Sequence, residues 1–162
     1  STYHPAPVAL RTVIDEAVGL LAPTLAENRV RLDIAPDLPV IMADRARMRE
    51  VFFNLIENAI KFHGTGNDPV ISIGMTQETE GPVFFDRDNG PGIDRQYLER
   101  IFNLFEKLDA DTPGTGIGLS IARRIIEVHG GKIWAESEGE GKGTTIRFTL
   151  PVRNPGTPPQ VP

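Results

Sequence analysis

"RARMREVFFNLIENAIKFH", residues 45–63, has the spacing of an amphipathic helix. Wound at about 3.6 residues per turn, its apolar side chains fall on one broad face and its polar side chains on a stripe about 100° wide. The apolar face contains Met48, Val51, Phe52, Leu55, Ile56, Ala59 and Phe62. The polar stripe contains Arg47, Glu50, Asn54, Glu57, Asn58 and Lys61. Asp44 is a residue type that caps helix N-termini, so the sequence predicts a long helix that begins at residue 45.

The polar stripe of this helix has two interpretations. A solvated face is the ordinary one, yet two asparagines four residues apart are unusual there, because Asn is a mediocre helix former. Asn54, Asn58 and Lys61 together offer amide oxygens for a hard cation and an ammonium group for a phosphate. Mg²⁺ takes one or two protein oxygens together with phosphate oxygens and water, so a single Asn suffices as its protein ligand.

A second candidate site, "DNGPGID" (88–94), follows a predicted strand. Asp, Asn, Gly and Pro are the residues of tight turns, and a turn alone would account for them. A carboxylate at a strand end, followed by glycines that let a flat ring approach the backbone, also suits an adenine. Asp88 would accept a hydrogen bond from the exocyclic amine, and such charge-assisted bonds contribute about 1.5–3 kcal/mol.

A third candidate, "PGTGIGLS" (113–120), places glycines directly before an apolar, helix-like stretch. It is not a P-loop, which ends in Gly-Lys-Ser/Thr where this stretch has Gly-Leu-Ser. It is not a dinucleotide fingerprint either, because the glycines are spaced G-x-G-x-G and follow a polar segment. Unpaired N–H groups at a helix start attract an anion. From the residues alone, an anion site and a flexible loop with a helix cap both stay open.

Hydrophobic spacing predicts the elements around these three candidate sites. Helices are expected over 9–27, with Pro23 as a kink or break, and over 118–130, which ends on a Gly pair suited to a left-handed cap. Strands are expected over 29–34, 69–77, 82–88, 131–138 and 143–151, the last two as a hairpin. This order predicts an α+β two-layer sandwich, in which about three helices cover one face of a mixed, mainly antiparallel sheet.

Length and composition limit the classes of protein further. A chain of 162 residues suits one domain, expected over 1–151, and the proline-rich tail 152–162 is expected to be disordered or a linker. A net charge of −5 disfavours broad nucleic-acid binding, and no apolar run approaches the length of a membrane span. The absence of cysteine excludes disulfides and is consistent with a reducing compartment. We expect a monomeric, cytoplasmic fragment without nucleic-acid or membrane contacts, and whether the full-length protein is soluble or membrane-anchored stays open.

Taken in order, four stretches resemble the motifs of the catalytic ATP-binding domain of sensor histidine kinases of two-component systems. "NLIENAIKF" (54–62) resembles that family's N box, "DNGPGI" (88–93) its first glycine box, and "IFNLFEKLD" (101–109) its phenylalanine box. "GTGIGLSIARRIIEVHGGKIWAESEGEGKGTTIRFTLP" (114–151) resembles its second glycine box and closing strands. The resemblance extends over about 8–151 and implies the Bergerat ATP-binding fold, an α/β sandwich that agrees with the architecture predicted above.

The resemblance also implies roles for individual residues. Asn58 would ligate Mg²⁺, with Asn54 supporting the site, and Lys61 would contact phosphate during catalysis. Asp88 would bind the adenine amine. The other residues it implies around the nucleotide in these two boxes are Phe62, Gly90, Gly92 and Ile93.

A mobile lid over ATP is implied from about residue 95 to residue 116. Phe102 and Phe105 would anchor this lid, and Lys107 would approach the phosphates. The backbone at the end of the lid and the start of the next helix would meet the triphosphate, through Gly114, Thr115, Gly116, Ile117, Gly118 and Leu119. A lid that must open for nucleotide exchange cannot be heavily packed, which is the physical reason to expect mobility.

The reaction that the resemblance implies is transfer of the γ-phosphoryl group of ATP to a protein histidine, for relay to a response regulator. Gyrase-type, MutL-type and heat-shock chaperone ATPases resemble this fold, but carry a Glu four residues before the magnesium Asn as the base that activates water. Asn54 holds that position here and cannot accept a proton near neutral pH, so only weak hydrolysis is expected. Catalysis would rest on positioning and on charge neutralisation by Mg²⁺ and Lys61.

The family's phosphate acceptor is a histidine in a motif of the form His-Glu-Leu-Arg-Thr-Pro, which this sequence does not contain. His4, His63 and His129 are better explained as ordinary polar residues. We therefore expect the fragment to bind ATP without labelling itself. The expected partners are a dimerisation and histidine-phosphotransfer domain of the same full-length protein and the receiver domain of a response regulator.

Two departures from the family pattern bear on the function. Asp86 lies two residues before Asp88 on the same strand face, where the family usually has an apolar residue, and a second carboxylate there raises the cost of ionising both unless it is solvated or paired with a cation. The lid is short and acidic, with Asp109 and Asp111 near the expected triphosphate. Two rival functions stay open: a degenerate ATP-binding module that docks or regulates without kinase activity, and a serine kinase of the anti-sigma-factor type.

Overall fold

The computed structural model describes residues 3–64, 66–103 and 116–151. The strands of this part of the chain are β1 (Pro5–Ala9), β2 (Arg31–Ile34), β3 (Val40–Asp44), β4 (Val70–Glu78), β5 (Gly81–Asp88), β6 (Ile133–Glu136) and β7 (Thr144–Thr149). Its α-helices are α1 (Leu10–Leu20), α2 (Ala22–Glu27), α3 (Arg45–Phe62) and α4 (Gly118–Val128). Two short 3-10 turns, Arg95–Tyr97 and Arg100–Phe102, follow the turn after β5.

Five of the strands form one sheet in the order β2-β4-β5-β7-β6. Only the β2–β4 pairing is parallel, and the β4–β5, β5–β7 and β7–β6 pairings are antiparallel. The helices pack on one face of this sheet, while the opposite face carries side chains such as Arg87 and Arg147 over the Phe85 ring. The predicted two-layer sandwich with a mixed, mainly antiparallel sheet is therefore confirmed.

Helix α3 packs across the middle of the sheet through its apolar face. Phe52 of α3 makes an edge contact with Phe148 of β7, with ring centroids 5.8 Å apart, and Phe148 stacks on Phe84 of β5 at 5.5 Å. The buried residues of α3 are Met48, Val51, Phe52, Leu55, Ile56, Ala59 and Ile60. The sequence prediction for this face differs at two positions: Ile60, which it left out, is buried in the core, and Phe62, which it included, is only half-buried.

The predicted ends of the helices are largely confirmed. Asp44 caps α3, since its Oδ1 accepts a hydrogen bond from the Arg47 backbone N–H at 3.1 Å. The first predicted helix breaks at Leu21, just before Pro23 in the first turn of α2. Helix α4 ends before Gly130, whose φ of 82° is the left-handed conformation that glycine adopts without strain.

A second, two-stranded sheet was not predicted. β1 and β3 pair antiparallel, with Val8 opposite Ile41 and Pro7 opposite Met42. The sequence of β1, "PAPVA", contains two prolines, which normally argue against a strand because proline lacks the N–H donor of the ladder. A two-stranded ribbon has only edge strands, where such residues are tolerated, and Val8 and Ile41 still bury against the helices.

None of the helices in the described part of the chain combines the length and the apolar content that crossing a membrane requires.

Candidate functional site

Helix α3 presents its polar stripe as a half-buried surface beside the core. Lys61 forms an ion pair with Glu57 one turn earlier, with Nζ and Oε1 3.0 Å apart. Asn58 is also half-buried, and no hydrogen bond joins its amide to another residue of the described chain. The stripe is therefore neither fully solvated nor sealed, and the Asn58 amide is available to an external partner.

Asn54 places α3 beside the start of α4. A Cβ added to Gly118 would lie 3.6 Å from Asn54 Oδ1, so the amide lies directly against the first residue of α4. The Nδ2 atom of Asn54 is buried and has no hydrogen-bond partner in the described residues. A buried donor of this kind costs about 1–3 kcal/mol if nothing pairs with it. Two of the three candidate sites thus meet at this point.

The N-terminus of α4 carries no side-chain cap. Ile117 occupies the N-cap position without a capping bond, and the Ser120 hydroxyl donates back to the Ile117 carbonyl at 2.7 Å instead of covering the N–H groups. Gly116 precedes it with a φ of 76°, a conformation that favours glycine. The first N–H groups of a helix without a cap carry a partial positive charge and are suited to bind an anion.

The turn after β5 is built around the Asp88 carboxylate. Asp88 Oδ1 accepts hydrogen bonds from the Gly90 backbone N–H at 2.9 Å and from the Thr144 backbone N–H at 3.3 Å. A Cβ on Gly90 would lie 3.4 Å from the Cα of His63 and 3.6 Å from the Phe62 carbonyl. The predicted adenine turn therefore packs against the last residues of α3, so the first and second candidate sites adjoin as well.

The loop between β6 and β7 supports this turn from the other side. The Ser137 hydroxyl accepts a hydrogen bond from the Ile93 N–H at 3.0 Å. Gly92 and Gly143 have positive φ, and a Cβ on either would come within 2.2 Å of a backbone carbonyl oxygen, that of Gly139 and that of Asp88 respectively. Sequence reasoning missed the support that Ser137 and Gly143 give to the site, because the "GEGKG" spacing was interpreted only as a hairpin turn.

Asp86 is the least expected residue of the site. The residue is only 3% exposed, and its Oδ1 has no hydrogen-bond partner in the described chain. Burial, and then the negative charge of Asp88, raise the pKa of the Asp86 carboxyl well above its ordinary value. Burial also raises the pKa of Asp88, while the N–H bonds from Gly90 and Thr144 limit the increase. Neither solvent nor a described cation offsets the second carboxylate.

Two histidines are buried in the described structure. The His129 ring bonds to the Ile125 carbonyl through Nδ1 at 2.8 Å and to the Asp44 N–H through Nε2 at 3.0 Å, so it links the end of α4 to the cap of α3. His63 contacts the Asn67 carbonyl through Nε2, and its Nδ1 is buried without a partner in the described chain. Both are more buried than the ordinary polar residues that the sequence suggested.

The predicted lid is described only at its two ends. Phe102 is 4% exposed and packs, in its 3-10 turn, against α4. Ile93 is half-buried before that turn, and Leu119 is buried in the first turn of α4. The predicted contacts that lie outside the described residues are those of Phe105, Lys107, Gly114 and Thr115.

The donor set of the site fits Mg²⁺ bound chiefly by phosphate and water. Among the described residues, no cluster of three or more His, Cys, Asp or Glu side chains could hold a metal ion by itself. Asn58 nevertheless offers an unpaired amide oxygen, one turn along α3 from Asn54. One amide oxygen is enough for Mg²⁺, which keeps several waters and takes its remaining ligands from phosphate oxygens.

Comparison with known proteins identifies the family to which the chain belongs. Residues 43–154 match the family model described as "Histidine kinase-, DNA gyrase B-, and HSP90-like ATPase". The methanogenesis regulatory histidine kinase FilI of Methanothrix harundinacea (strain 6Ac) is 45% identical to the chain over 140 residues. The match covers 86% of this chain and 16% of FilI, so the chain spans about a sixth of that relative's length.

Solved structures give the same result. The catalytic domain of histidine kinase ThkA superposes with a TM-score of 0.77 at 30% identity, covering 92% of this chain and 96% of that one. ThkA in complex with the response regulator protein TrrA gives a TM-score of 0.73 at 28% identity, covering 93% and 42%. Full-length ShkA in complex with AMPPNP gives 0.80 at 28% identity, covering 97% and 33%. The similarity therefore extends over nearly all of this chain.

Proposed function

The chain belongs to the histidine kinase-, DNA gyrase B- and HSP90-like ATPases, as a catalytic ATP-binding domain of the sensor histidine kinase type, and on that premise we propose that it binds MgATP and transfers the γ-phosphoryl group to a histidine on a separate domain. The observation that carries this proposal is the convergence of three elements. Asn54 of α3 lies against Gly118 at the uncapped start of α4, and Gly90 lies against the last residues of α3.

The base and the phosphates would occupy different parts of this convergence. Both N–H bonds to Asp88 fall on Oδ1, which leaves Oδ2 to accept a hydrogen bond from the adenine amine. Gly90 and Gly92 leave room for the ring beside the backbone. At the other end, the open N–H groups of Gly118 and Leu119 would bind phosphate oxygens. The AMPPNP in the similar structure of ShkA supports nucleotide binding as the role of the domain.

The polar stripe of α3 would supply the metal ligand and the cation. Asn58 would hold Mg²⁺ through its amide oxygen, and Mg²⁺ when bound neutralises charge that develops on the transferring phosphoryl group. Lys61 would turn from Glu57 to a phosphate oxygen, which is a small rearrangement because a partly exposed i,i+4 pair contributes only about 0.3–0.5 kcal/mol. Asn54, whose buried amide lacks a partner, would orient the same region.

The amide at position 54, in place of a carboxylate, supports transfer over hydrolysis. Asn54 stands four residues before Asn58, and an amide cannot take a proton from water near neutral pH. The acceptor would be a histidine on a dimerisation and phosphotransfer domain of the same full-length protein, and the phosphoryl group would pass to the receiver domain of a response regulator. The complex of ThkA with a response regulator supports this choice of partner.

The domain organisation is part of the proposal. The catalytic domain would extend over 1–151, with a lid at about 95–116 and a tail at 152–162 that would be disordered or a linker. Phe102, packed against α4, would anchor the lid where it leaves the described structure. Hydrogen exchange tests this assignment, because protection over 103–115 should increase when MgATP is added. Equal protection with and without MgATP would contradict a lid.

Phosphotransfer distinguishes the proposed function from its two rivals. The chain is mixed with MgATP and with separately expressed dimerisation helices of a full-length protein that contains it. We expect acid-labile phosphohistidine on those helices and none on the chain itself. ATP binding without any transfer would favour a regulatory module, and acid-stable phosphoserine on a partner would favour a serine kinase.

Two substitutions test the proposed ligands of the nucleotide. Asn58→Asp and Asp88→Asn should each abolish MgATP binding or weaken it sharply, while circular dichroism stays native. Matched controls lie away from the site: Asn28→Asp, just after α2, adds the same charge at an exposed position, and Asp15→Asn in α1 removes the same charge from a surface pair with Arg11. Unchanged affinity in both site variants would overturn the assignment.

A further inference from the structure

Asp86 occupies a position that the fold would normally give to an apolar residue. It lies on the helix-facing side of β5, the central strand of the sheet, between Phe84 and Asp88 in the alternation of the strand. Its neighbours in register are Ile73 on β4 and Ile146 on β7, both buried. A carboxyl group at this position contributes nothing to packing that a valine would not.

The Asp86 carboxyl also lacks the partners that a structural polar group has. Buried polar groups are normally hydrogen-bonded, and an unpaired one costs about 1–3 kcal/mol. Within the described chain, Oδ1 of Asp86 is buried and unpaired. Burial and the Asp88 charge raise the pKa of Asp86 well above its ordinary value, which favours the protonated carboxyl, a group with one O–H donor and one carbonyl acceptor.

Among the described residues, few ionisable groups act on Asp86 and Asp88. Asp88 is the ionisable group that acts on Asp86, and His63 at the end of α3 is the ionisable group that acts on Asp88. The residues paired with Asp86 on β4 and β7 are isoleucines. The site therefore places a buried carboxyl, whose protonated form is favoured, beside Asp88, which accepts the N–H bonds of Gly90 and Thr144.

We propose that Asp86 is a second base-recognition residue, whose carboxylic acid donates a hydrogen bond toward the adenine ring nitrogen while the Asp88 carboxylate accepts one from the adjacent amine. The inference rests on the proposed function, since it requires that adenine bind at Asp88. The Watson–Crick edge of adenine presents a donor, its amine, next to an acceptor, its ring nitrogen. A donor and an acceptor side by side on β5 match that edge, and guanine presents the reverse pattern.

The spacing of the two carboxyls indicates that a water molecule completes the contact. Strand residues rise by about 3.3 Å each, so the Cα atoms of Asp86 and Asp88 are about 6.6 Å apart along β5. This exceeds the separation of the two adenine atoms, and one water between Asp86 and the ring makes up the difference. Such a water needs about two to four polar partners, and Thr144, buried opposite Asp88, adds a hydroxyl to those of Asp86 and the base.

The pH dependence of binding follows from this arrangement. When Asp86 loses its proton, the donor is lost and a second negative charge appears beside Asp88. ATP affinity should therefore decrease as the pH rises through the ionisation of Asp86. A residue with a merely structural role would leave the pH profile unchanged.

The experiment measures MgATP and MgGTP affinity from pH 6 to pH 9, by calorimetry, for the unmodified chain, Asp86→Asn and Asp86→Val. We expect Asp86→Val to lose roughly tenfold in ATP affinity, equivalent to about 1.4 kcal/mol, and to prefer ATP over GTP less strongly. Asp86→Asn keeps a neutral donor, so it should recover part of the affinity and bind with a flat pH profile. Circular dichroism checks that both variants fold.

The outcomes separate this inference from the proposed function. If the unmodified chain binds ATP, but Asp86→Val binds it equally well with the same pH profile, the role of Asp86 is overturned and the proposed function stands. If the unmodified chain binds no nucleotide at any pH, the proposed function is overturned, and the inference with it. Tighter ATP binding by Asp86→Val would also overturn the inference, because it would mean that the carboxyl opposes the base.

Discussion

His129 and Asp86 are both buried ionisable side chains, but the fold gives them very different partners. The peptide groups around His129 fix its tautomer, because the Ile125 carbonyl can only accept from Nδ1 and the Asp44 N–H can only donate to Nε2. Burial lowers the pKa of His129 and raises that of Asp86, so in each case it favours the uncharged form. Of these two side chains, Asp86 is the one left with a buried atom that has no hydrogen-bond partner within the described chain.

His129 therefore has a structural role, whereas the fold gives no structural reason for a carboxyl at position 86. His129 joins the end of α4 to the cap of α3, and both ring nitrogens are used in doing so. A buried carboxyl without a partner costs free energy, and a ligand that hydrogen-bonds to Asp86 would explain its presence in the core. Buried polar atoms without partners also occur at Asn54 and His63, which border the same site. Such atoms point to a ligand more directly than burial or charge alone.

The largest expected change is a loss of stability in His129→Ala. The substitution leaves the buried Asp44 N–H unpaired and removes the ring that contacts Tyr3, with centroids 4.9 Å apart. The free energy of unfolding should fall by about 2–4 kcal/mol in urea titrations. His4→Ala is the matched control, since the His4 side chain is exposed and should change stability by less than about 0.5 kcal/mol. Equal values for the two variants would remove the structural role of His129.

The next largest change should have the opposite sign. Asp86→Val replaces an unpaired buried carboxyl with an apolar side chain, so the free energy of unfolding at pH 7 should rise by about 1–3 kcal/mol. Asp86→Asn, which keeps a polar group in the same place, should gain much less. A less stable Asp86→Val would mean that the carboxyl has a structural partner after all.

Asp86 and His129 should also change the pH dependence of stability, in opposite directions. Each pH effect should be smaller than the change in the free energy of unfolding predicted above for the substitution of that residue. Asp86 has a raised pKa in the folded state, so its cost appears as the pH rises above the unfolded value of about 3.9 and grows until the folded group ionises. His129 has a lowered pKa, so its contribution is lost as the pH falls below the unfolded value of about 6.5. The advantage of Asp86→Val over the unmodified chain should therefore grow between pH 4 and pH 8. A constant difference would show that Asp86 does not titrate in this range.

The smallest change in stability should accompany a loss of nucleotide affinity. Lys61→Ala removes a surface pair that contributes about 0.3–0.5 kcal/mol, yet it should weaken MgATP binding because Lys61 would meet a phosphate. Arg11→Ala is the matched control: it breaks a pair of the same i,i+4 spacing and the same 3.0 Å distance in α1, away from the site. Calorimetry should find ATP affinity reduced only in Lys61→Ala, and equal affinities would exclude Lys61 from the phosphate site.

Much of the fold could be predicted because its signals are local. Residues close together in the sequence determine the apolar face of α3, its N-terminal cap at Asp44 and the strands β4 and β5. The β1–β3 ribbon could not be predicted, because the two prolines of "PAPVA" oppose a strand locally and only pairing with a distant segment overrides them.

The residues of the candidate site also differ in how far the sequence alone predicts them. Asn58, Asp88 and Gly118 stand in motifs of their own, and residue type and spacing single them out. The support that Ser137 and Gly143 give to the Asp88 turn depends on long-range contacts, which the sequence does not express. Asp86 was predictable in part, since strand alternation placed it beside Asp88 but did not establish that its carboxyl lacks a partner.

Calorimetric titration of MgATP into the unmodified chain and into Asp88→Asn, with Asp15→Asn as control, tests the nucleotide site most directly. We predict saturable binding of one MgATP to the unmodified chain and to Asp15→Asn, and none or sharply weaker binding to Asp88→Asn. Equal binding by all three proteins, or no binding by the unmodified chain, would contradict the assignment of Asp88 and the turn after β5 as the adenine site.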